Sequence, residues 1–155
     1  FEEVDFFWDT CKYLGGLSKN AYKQNRSIDG AIDRLQIIHY VHGGGRIAPH
    51  FDPTNNIKVQ SLILLNKKGV DYTKGGLCLF QKNFLKKDVE EHIDAGDMVL
   101  FYPSLYHSVE PVDKYKPLNW QSKSGRWCLL FTSMDSDLVE NRTVSLPIPA
   151  TNNLK

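Results

Sequence analysis

The tripeptide His50-Phe51-Asp52 places an imidazole and a carboxylate two residues apart. Alternate side chains of an extended strand point to the same face, so we expect His50 and Asp52 to share one face and Phe51 to take the other. His107, much later in the chain, is the best candidate for a third ligand. Two histidines and one carboxylate on one side of a metal, with the other positions open, are typical of non-haem Fe(II) sites. Taken alone, such a tripeptide is more often a surface hydrogen bond.

The composition shows no excess of either charge. The 155 residues carry a formal net charge of +1, and no basic block stands out. This balance provides no electrostatic attraction to nucleic acid. No apolar run reaches the roughly 20 residues that a membrane-spanning helix needs. We therefore predict neither a nucleic-acid partner nor a membrane partner.

The three cysteines, Cys11, Cys78 and Cys128, are isolated from one another and form no C-x-x-C pair. They predict reduced core thiols in an intracellular, cytoplasmic protein rather than disulfides or a zinc site. The sequence begins with Phe1 and acidic residues, a pattern unlike the basic start of a signal peptide. We therefore discount the glycosylation triplet at residues 141–143.

A helix is predicted over about Glu2–Leu14, and Gly15-Gly16 ends it. Its apolar residues recur at helical spacing and are expected to face the core. These residues are Val4, Phe7, Trp8, Cys11 and Leu14. Residues 17–33 are polar, with a short helix proposed near Ala21–Asn25, and the charged stretch 86–92 is predicted to be exposed. The predicted strands are 35–41, 47–52, 57–65, 77–80, 98–102, 107–109 and 126–132.

Short strands that recur about every 8–12 residues predict an all-β sandwich or barrel. We expect a mainly β fold with the N-terminal helix packed against it. One domain would cover residues 1–155, with a helical part over about 1–33, a β core over about 35–134 and a C-terminal tail over about 135–155. The candidate ligands lie near strand ends, where the mouth of a barrel can hold a ligand.

Several short motifs follow one another in a recognisable order. They are Tyr40 before a Gly-rich turn, His50-Phe51-Asp52, Leu64-Leu65-Asn66, Gly75-Gly76-Leu77, the run from Gly96 to Phe101, the run from His107 to Val112, and Gly125-Arg126-Trp127. From Leu35 to about Thr132 this order resembles the Fe(II)/2-oxoglutarate-dependent dioxygenases, in particular the prolyl-hydroxylase-like branch. The resemblance covers roughly two thirds of the chain, and its specificity comes from the combination of motifs.

The resemblance implies a double-stranded β-helix, which is a distorted jelly roll or cupin-like barrel, with iron held inside one end. By position, it makes His50, Asp52 and His107 the iron ligands and Arg126 the residue that binds the distal carboxylate of 2-oxoglutarate. A guanidinium suits that role because it forms two parallel hydrogen bonds to a carboxylate and stays charged in a pocket. The resemblance further implies that Tyr40 helps to hold the same carboxylate, and that Val109 and Leu64 are apolar walls of the pocket.

The chain departs from the family pattern in two places. Leu64 stands where some prolyl hydroxylases have a second tyrosine. The stretch from His107 to Arg126 is long, so residues 113–124 resemble an insertion, and Lys123 is the alternative cation for 2-oxoglutarate. Trp120 and Tyr115 in this stretch could form a lid. Asp52 favours oxidation over halogenation, because the related halogenases have a small residue there.

The sequence thus predicts an oxygenase that uses Fe(II), 2-oxoglutarate and O2 and releases succinate and CO2. It would oxidise an unactivated C–H bond by hydroxylation, desaturation or oxidative cyclisation. We favour a small-molecule substrate such as an amino acid or metabolite over a prolyl residue in a peptide. A cupin-type metal dioxygenase that needs no 2-oxoglutarate is the first alternative class. A non-catalytic binding domain with a relic triad is the second.

Overall fold

The computed structural model describes residues 2–18, 26, 28, 30–52, 54, 59–136, 138 and 140. One helix, α1, covers Glu2–Leu14, in agreement with the predicted bounds. Eight strands follow it, and a short 3-10 turn at Lys82–Phe84 lies between β4 and β5. The strands are β1 Ala31–Val41, β2 Ile47–His50, β3 Gln60–Leu64, β4 Gly76–Phe80, β5 Lys86–Asp88, β6 Met98–Phe101, β7 His107–Glu110 and β8 Gly125–Asp135.

The strands form two antiparallel four-stranded sheets. The first has the order β1-β8-β3-β6 and the second the order β2-β7-β4-β5. One apolar cluster joins the sheets, since Tyr40 and Leu62 of the first pack with Leu77 and Val109 of the second. Two antiparallel sheets that enclose a common core are the arrangement of a jelly roll. The predicted mainly β fold is therefore confirmed.

Strand β8 shows how alternation separates the interior of the sandwich from its outer face. Cys128 points inward, to the cluster between the sheets, whereas Phe131 points outward and packs on α1. Trp8 stacks on Phe131 with ring centroids 6.0 Å apart, and Cys11 is buried beside it. The predicted apolar stripe of α1 is broader than the buried one, because Phe7 and Leu14 are 49% and 56% exposed. The helix covers the sheet along one narrow strip.

Strand β1 begins at Ala31, so the predicted helical part up to residue 33 is wrong at its end. The first residues of β1 mix apolar Ala31 and Ile32 with charged Asp33 and Arg34, and they pair with the last residues of β8. Asp33 accepts a hydrogen bond from Ser133 Oγ at 2.6 Å and forms an ion pair with Lys12 at 2.6 Å. Tertiary pairing therefore extends the strand beyond its apolar part.

Some predicted features lie outside the described residues. These are the short helix near residues 21–25, the start of the strand predicted from residue 57, the glycosylation triplet and most of the tail. Cys11, Cys78 and Cys128 are free and buried, as predicted for core thiols. Among the described residues, no helix has both the length and the apolarity needed to cross a bilayer.

Candidate metal and 2-oxoglutarate site

Three candidate ligands from different parts of the chain converge between β2 and β7. His50 at the end of β2 lies directly opposite His107 at the start of β7, with ring centroids 4.3 Å apart. Asp52 completes the group, and the potential ligand atoms all lie within 4.8 Å of one another. His107 is buried, whereas His50 and Asp52 are partly exposed, so one side of the group is open. This donor set, two imidazoles and a carboxylate, suits Fe(II).

Asp52 does not belong to a strand, because β2 ends at His50. The strand predicted to continue through residue 52 therefore ends two residues earlier, so strand alternation does not explain why His50 and Asp52 converge. The backbone holds Asp52 instead, since its N–H donates to the Pro103 carbonyl at 3.1 Å. Gln60 Nε2 donates a hydrogen bond to Asp52 Oδ2. Phe51 points away from the group and lies 4.7 Å from the Tyr106 ring.

Both histidines are oriented by the backbone two residues earlier. His50 Nδ1 is 2.8 Å from the Ala48 carbonyl, and His107 Nδ1 is 2.8 Å from the Leu105 carbonyl. A carbonyl can only accept, so each Nδ1 carries the proton and each Nε2 is left with a lone pair. Such outer hydrogen bonds set the tautomer that a metal requires. The sequence had given no indication of these partners.

The electrostatics of the group favour a charged Asp52. Burial by itself would raise the pKa of Asp52, but the hydrogen bond and charge of His107, the charge of His50 and the Gln60 hydrogen bond together hold that pKa below its ordinary value. His50 Nε2 and His107 Nε2 lie 3.5 Å and 3.2 Å from the Asp52 oxygens. A charged carboxylate beside two imidazoles provides the negative charge that a divalent cation needs.

A cavity of about 250 Å³ extends from this group into the space between the sheets. Its wall includes His50, Asp52 and His107 at one end, and Tyr40 and Arg126 farther in. The residues between them are largely apolar and include Ile38, Leu62, Leu77, Val109 and Cys128. One cavity therefore contains a candidate metal group and a buried guanidinium, separated by an apolar lining.

Arg126 is completely buried, which is unusual for a cation. Its guanidinium lies 5.1 Å from the centre of the Tyr40 ring, the residue opposite it on β1. Nε donates to Glu90 Oε1 at 2.7 Å, and Nη1 donates to Cys128 Sγ at 3.2 Å. Nη2 lies 2.6 Å from Glu90 Oε1 in the ion pair, but it makes no aligned hydrogen bond within the described part of the chain. A carboxylate that enters the cavity could accept hydrogen bonds from Nη2.

Glu90 is the main residue of this site that the sequence did not reveal. Residues 86–92 were predicted to be exposed, but β5 occupies part of this stretch and Glu90 is only 2% exposed. Besides Arg126, the Glu90 carboxylate accepts hydrogen bonds from the Tyr72 hydroxyl and the Leu77 backbone N–H. Burial lowers and the charge of Glu90 raises the pKa of Arg126, and the net direction is upward. Glu90 therefore keeps Arg126 charged and in place.

Gly76 leaves room for the Glu90 carboxylate. Its φ is +107°, and a Cβ at this position would overlap the carboxylate of Glu90. We expect Gly76→Ala to lower the free energy of unfolding by at least the roughly 1–3 kcal/mol that is typical of overpacking. Urea denaturation would measure the loss. Gly69→Ala is the matched control, because Gly69 has a φ of +86° but open space around it. Equal losses in both variants would contradict a role for the contact with Glu90.

The other predicted site residues occupy varied positions. Val109 lines the cavity, and Leu64 is fully buried in the core cluster that contains Val109, Tyr40 and Cys128. Lys123, the alternative cation, is exposed. Tyr115 and Trp120 are also exposed, and the Tyr115 hydroxyl contacts Thr73.

Two further histidines, His39 and His92, lie away from the candidate ligands. His39 stacks on Trp127 with ring centroids 3.8 Å apart, on the outer face of the sheet, as alternation with Tyr40 predicts. His92 is exposed, as expected for its charged surroundings.

The family comparison agrees with this chemistry. A family model described as the 2OG-Fe(II) oxygenase superfamily matches residues 35–131. Among solved structures, a Pseudomonas putida prolyl-4-hydroxylase is similar, with 20% identity and a TM-score of 0.47. The match covers 66% of this chain and 50% of that chain, so the chain spans about half the length of this solved relative. No curated protein sequence matches the chain significantly.

Proposed function

The chain belongs to the 2OG-Fe(II) oxygenase superfamily, and from this membership we propose that it is an Fe(II)- and 2-oxoglutarate-dependent dioxygenase of a small molecule. It would oxidise an unactivated C–H bond by hydroxylation, desaturation or oxidative cyclisation, with release of succinate and CO2. In this proposal His50, Asp52 and His107 hold Fe(II), and Arg126 binds the distal carboxylate of 2-oxoglutarate. Tyr40 assists Arg126, and Val109 and Leu64 provide apolar surroundings.

A single observation carries the proposal: the three candidate ligands and the Arg126 guanidinium open into the same cavity. A metal group alone would fit many classes of enzyme. The buried Arg126, whose Nη2 makes no aligned hydrogen bond within the described part of the chain, adds hydrogen-bond donors for a carboxylate in the same space. A cupin-type dioxygenase without 2-oxoglutarate has no use for such a cation. When bound, Fe(II) and 2-oxoglutarate supply the oxidising chemistry, and the protein supplies binding and orientation.

The residues around Arg126 have defined protonation states in this scheme. Burial raises the pKa of Tyr40 to about 12, against a smaller opposing effect of the Arg126 charge. The phenol therefore stays protonated at neutral pH and can donate a hydrogen bond to a carboxylate. Glu90 holds one side of the guanidinium, which orients the other side toward the cavity. The apolar wall would exclude water from the bound carboxylate and strengthen its pairing with Arg126.

The size of the cavity favours a small substrate. Its volume of about 250 Å³ is below the roughly 300–1,000 Å³ of typical ligand pockets, and 2-oxoglutarate would take part of it. In the same proposal, residues 1–155 form one oxygenase domain. The three free, buried thiols support an intracellular, cytoplasmic location as a further part of it.

The first test is an anaerobic titration of the protein with Fe(II) and then with 2-oxoglutarate. We expect the weak visible metal-to-ligand charge-transfer band of a chelated 2-oxo acid. Arg126→Lys should raise the 2-oxoglutarate concentration at half-saturation roughly 10–100-fold. The lysine ammonium keeps a positive charge opposite Glu90, but it loses charged hydrogen bonds that the guanidinium makes to the carboxylate. Lys123→Met should leave the concentration unchanged, since Lys123 is exposed.

Each contradictory outcome of this titration identifies a different error. Fe(II) binding without a band would reject the use of 2-oxoglutarate and favour the cupin-type alternative. A larger effect of Lys123→Met than of Arg126→Lys would assign the carboxylate to the other cation. Failure to bind any metal would reject the triad and favour a non-catalytic binding domain.

A further inference from the structure

A second arginine, Arg34, lines the same cavity, and no motif in the sequence had marked it as a site residue. It lies on β1, opposite Thr132 of β8, which also lines the cavity. Ser61 of β3 pairs with Phe131, so continuing this register by one residue places Gln60 beside Thr132. Arg34, Thr132 and Gln60 thus form one polar row across three neighbouring strands. Gln60 donates to Asp52, so this row borders the candidate metal group.

Two polar atoms of this row are enclosed and unsatisfied. Arg34 Nε and Thr132 Oγ1 are inaccessible and have no hydrogen-bond partner among the described residues. Thr132 as a whole is only 4% exposed. Arg34 as a whole is partly buried, and this burial lowers its pKa from the ordinary value. Arg126 has Glu90 as its counter-ion, whereas no carboxylate in the described part of the chain is paired with Arg34. Enclosed polar groups of this kind usually have a partner, and a bound ligand would provide it.

The two arginines belong to different rows of the cavity wall. Arg126 pairs with Tyr40 and Thr132 pairs with Arg34, so the two rows lie six residues apart along both strands. At about 3.3 Å per residue the backbones of the two rows are roughly 20 Å apart along the sheet, and the side chains of both arginines line the cavity. The cavity wall therefore has one cation in each of two rows, and Arg34 lies in the row whose Gln60 contacts Asp52 of the candidate metal group.

We propose that Arg34, together with Thr132, binds the carboxylate of the primary substrate, and that this substrate is a small free carboxylic acid such as an amino acid. Guanidinium and hydroxyl protons are the donors that a carboxylate accepts. Bound there, the acid would direct the rest of its carbon chain along the row toward Gln60 and the metal group. The inference rests on the proposed function and adds the class of substrate.

The test uses the whole chain, loaded anaerobically with Fe(II) and 2-oxoglutarate, and a panel of free L-amino acids and 2-hydroxy acids. At least one acid should change the charge-transfer band and raise the melting temperature. The carboxamide of that acid should bind roughly 10–100-fold more weakly, the cost of losing hydrogen bonds to a charged group. A prolyl tripeptide blocked at both ends, which has no carboxylate, should produce neither change.

Variants of Arg34 separate this inference from the proposed function. Arg34→Met should bind the acid roughly 10–100-fold more weakly than the wild type. Its titration with 2-oxoglutarate should stay as in the wild type. Without the acid it should melt at a higher temperature than the wild type, because a partly buried cation with an unsatisfied Nε is removed. Arg34→Lys should keep part of the response, and Arg46→Met is the matched control at an exposed arginine.

Several outcomes would overturn the inference. They are an acid and its amide that bind equally, an Arg34→Met variant that responds like the wild type, a response to the blocked peptide alone, and a panel without any effective acid. In each of these outcomes the band with 2-oxoglutarate still forms. Absence of the band itself would instead reject the proposed function.

Discussion

Asp52→Ala is expected to abolish tight Fe(II) binding and all oxidation that depends on it. The variant keeps both imidazoles but loses the negative charge between them, which lies close to His50 Nε2 and His107 Nε2. The loss of metal affinity should exceed the roughly 10–100-fold typical of removing an outer hydrogen-bond partner. Gln60→Leu removes such a partner of Asp52 and should fall within that range. Competition with a chelator under anaerobic conditions would measure both affinities.

Thermal stability provides a second readout that does not depend on turnover. A metal that binds only the folded state at 100 times its Kd stabilises a protein by about 2.7 kcal/mol. Fe(II) should therefore raise the melting temperature of the wild type and leave that of Asp52→Ala unchanged. Asp94→Ala, at a surface residue whose carboxylate is paired with Lys67, is the matched control. An Asp52→Ala variant that binds Fe(II) as tightly as this control would show that the triad is not the metal site.

Glu90→Ala is expected to cause the largest loss of stability. Glu90 and Arg126 form an ion pair in which the two side chains are 0% and 1% exposed. Removing one partner of a buried pair typically costs about 3–5 kcal/mol, because the other charge is left uncompensated. Glu90→Gln can still accept hydrogen bonds from Arg126 Nε and the Leu77 N–H, so it should lose less. Urea denaturation of the apoprotein would measure both losses.

A carboxylate of bound 2-oxoglutarate should partly replace the carboxylate that Glu90→Ala removes. Adding 2-oxoglutarate should therefore stabilise Glu90→Ala more than it stabilises the wild type, since the ligand brings a negative charge to Arg126. Glu91→Ala is the matched control, because the neighbouring Glu91 is exposed. Its change should stay within about 0.5 kcal/mol, as is usual for surface substitutions. Similar stabilities of the two alanine variants would contradict the importance of the buried pair.

The candidate metal group illustrates how far the sequence alone can lead. His50, Asp52 and His107 stood out because few residue types bind Fe(II) and because their order along the chain resembles a family pattern. The strand alternation used to explain their convergence was only partly correct. Asp52 lies after the end of β2, and its backbone N–H is held by the carbonyl of Pro103, a residue of the loop before β7. That contact joins segments 51 positions apart, and local periodicity carries no information about it.

The buried charges illustrate where sequence reasoning stopped. Glu90 and Glu91 are adjacent and chemically identical, yet one is buried and the other exposed. Likewise, Arg34 lines the cavity while Arg46 faces solvent. Nothing in the neighbouring residues separates the members of either pair. For Glu90 the difference arises from its partner Arg126 on a distant strand, and for Arg34 it arises from the face of β1 that lines the cavity.

The sequence by itself determined the mainly β character, the N-terminal helix, the reduced cysteines and the candidate ligands, because these depend on residue type, spacing and order. Only the tertiary structure decided which charged side chains enter the interior. Burial of an ion is tolerated where a partner compensates its loss of hydration, and that partner is brought by the packing of one sheet on the other. Glu90 meets Arg126 in this way. Arg34 meets no such partner among the described residues, and it is this lack that points to a ligand.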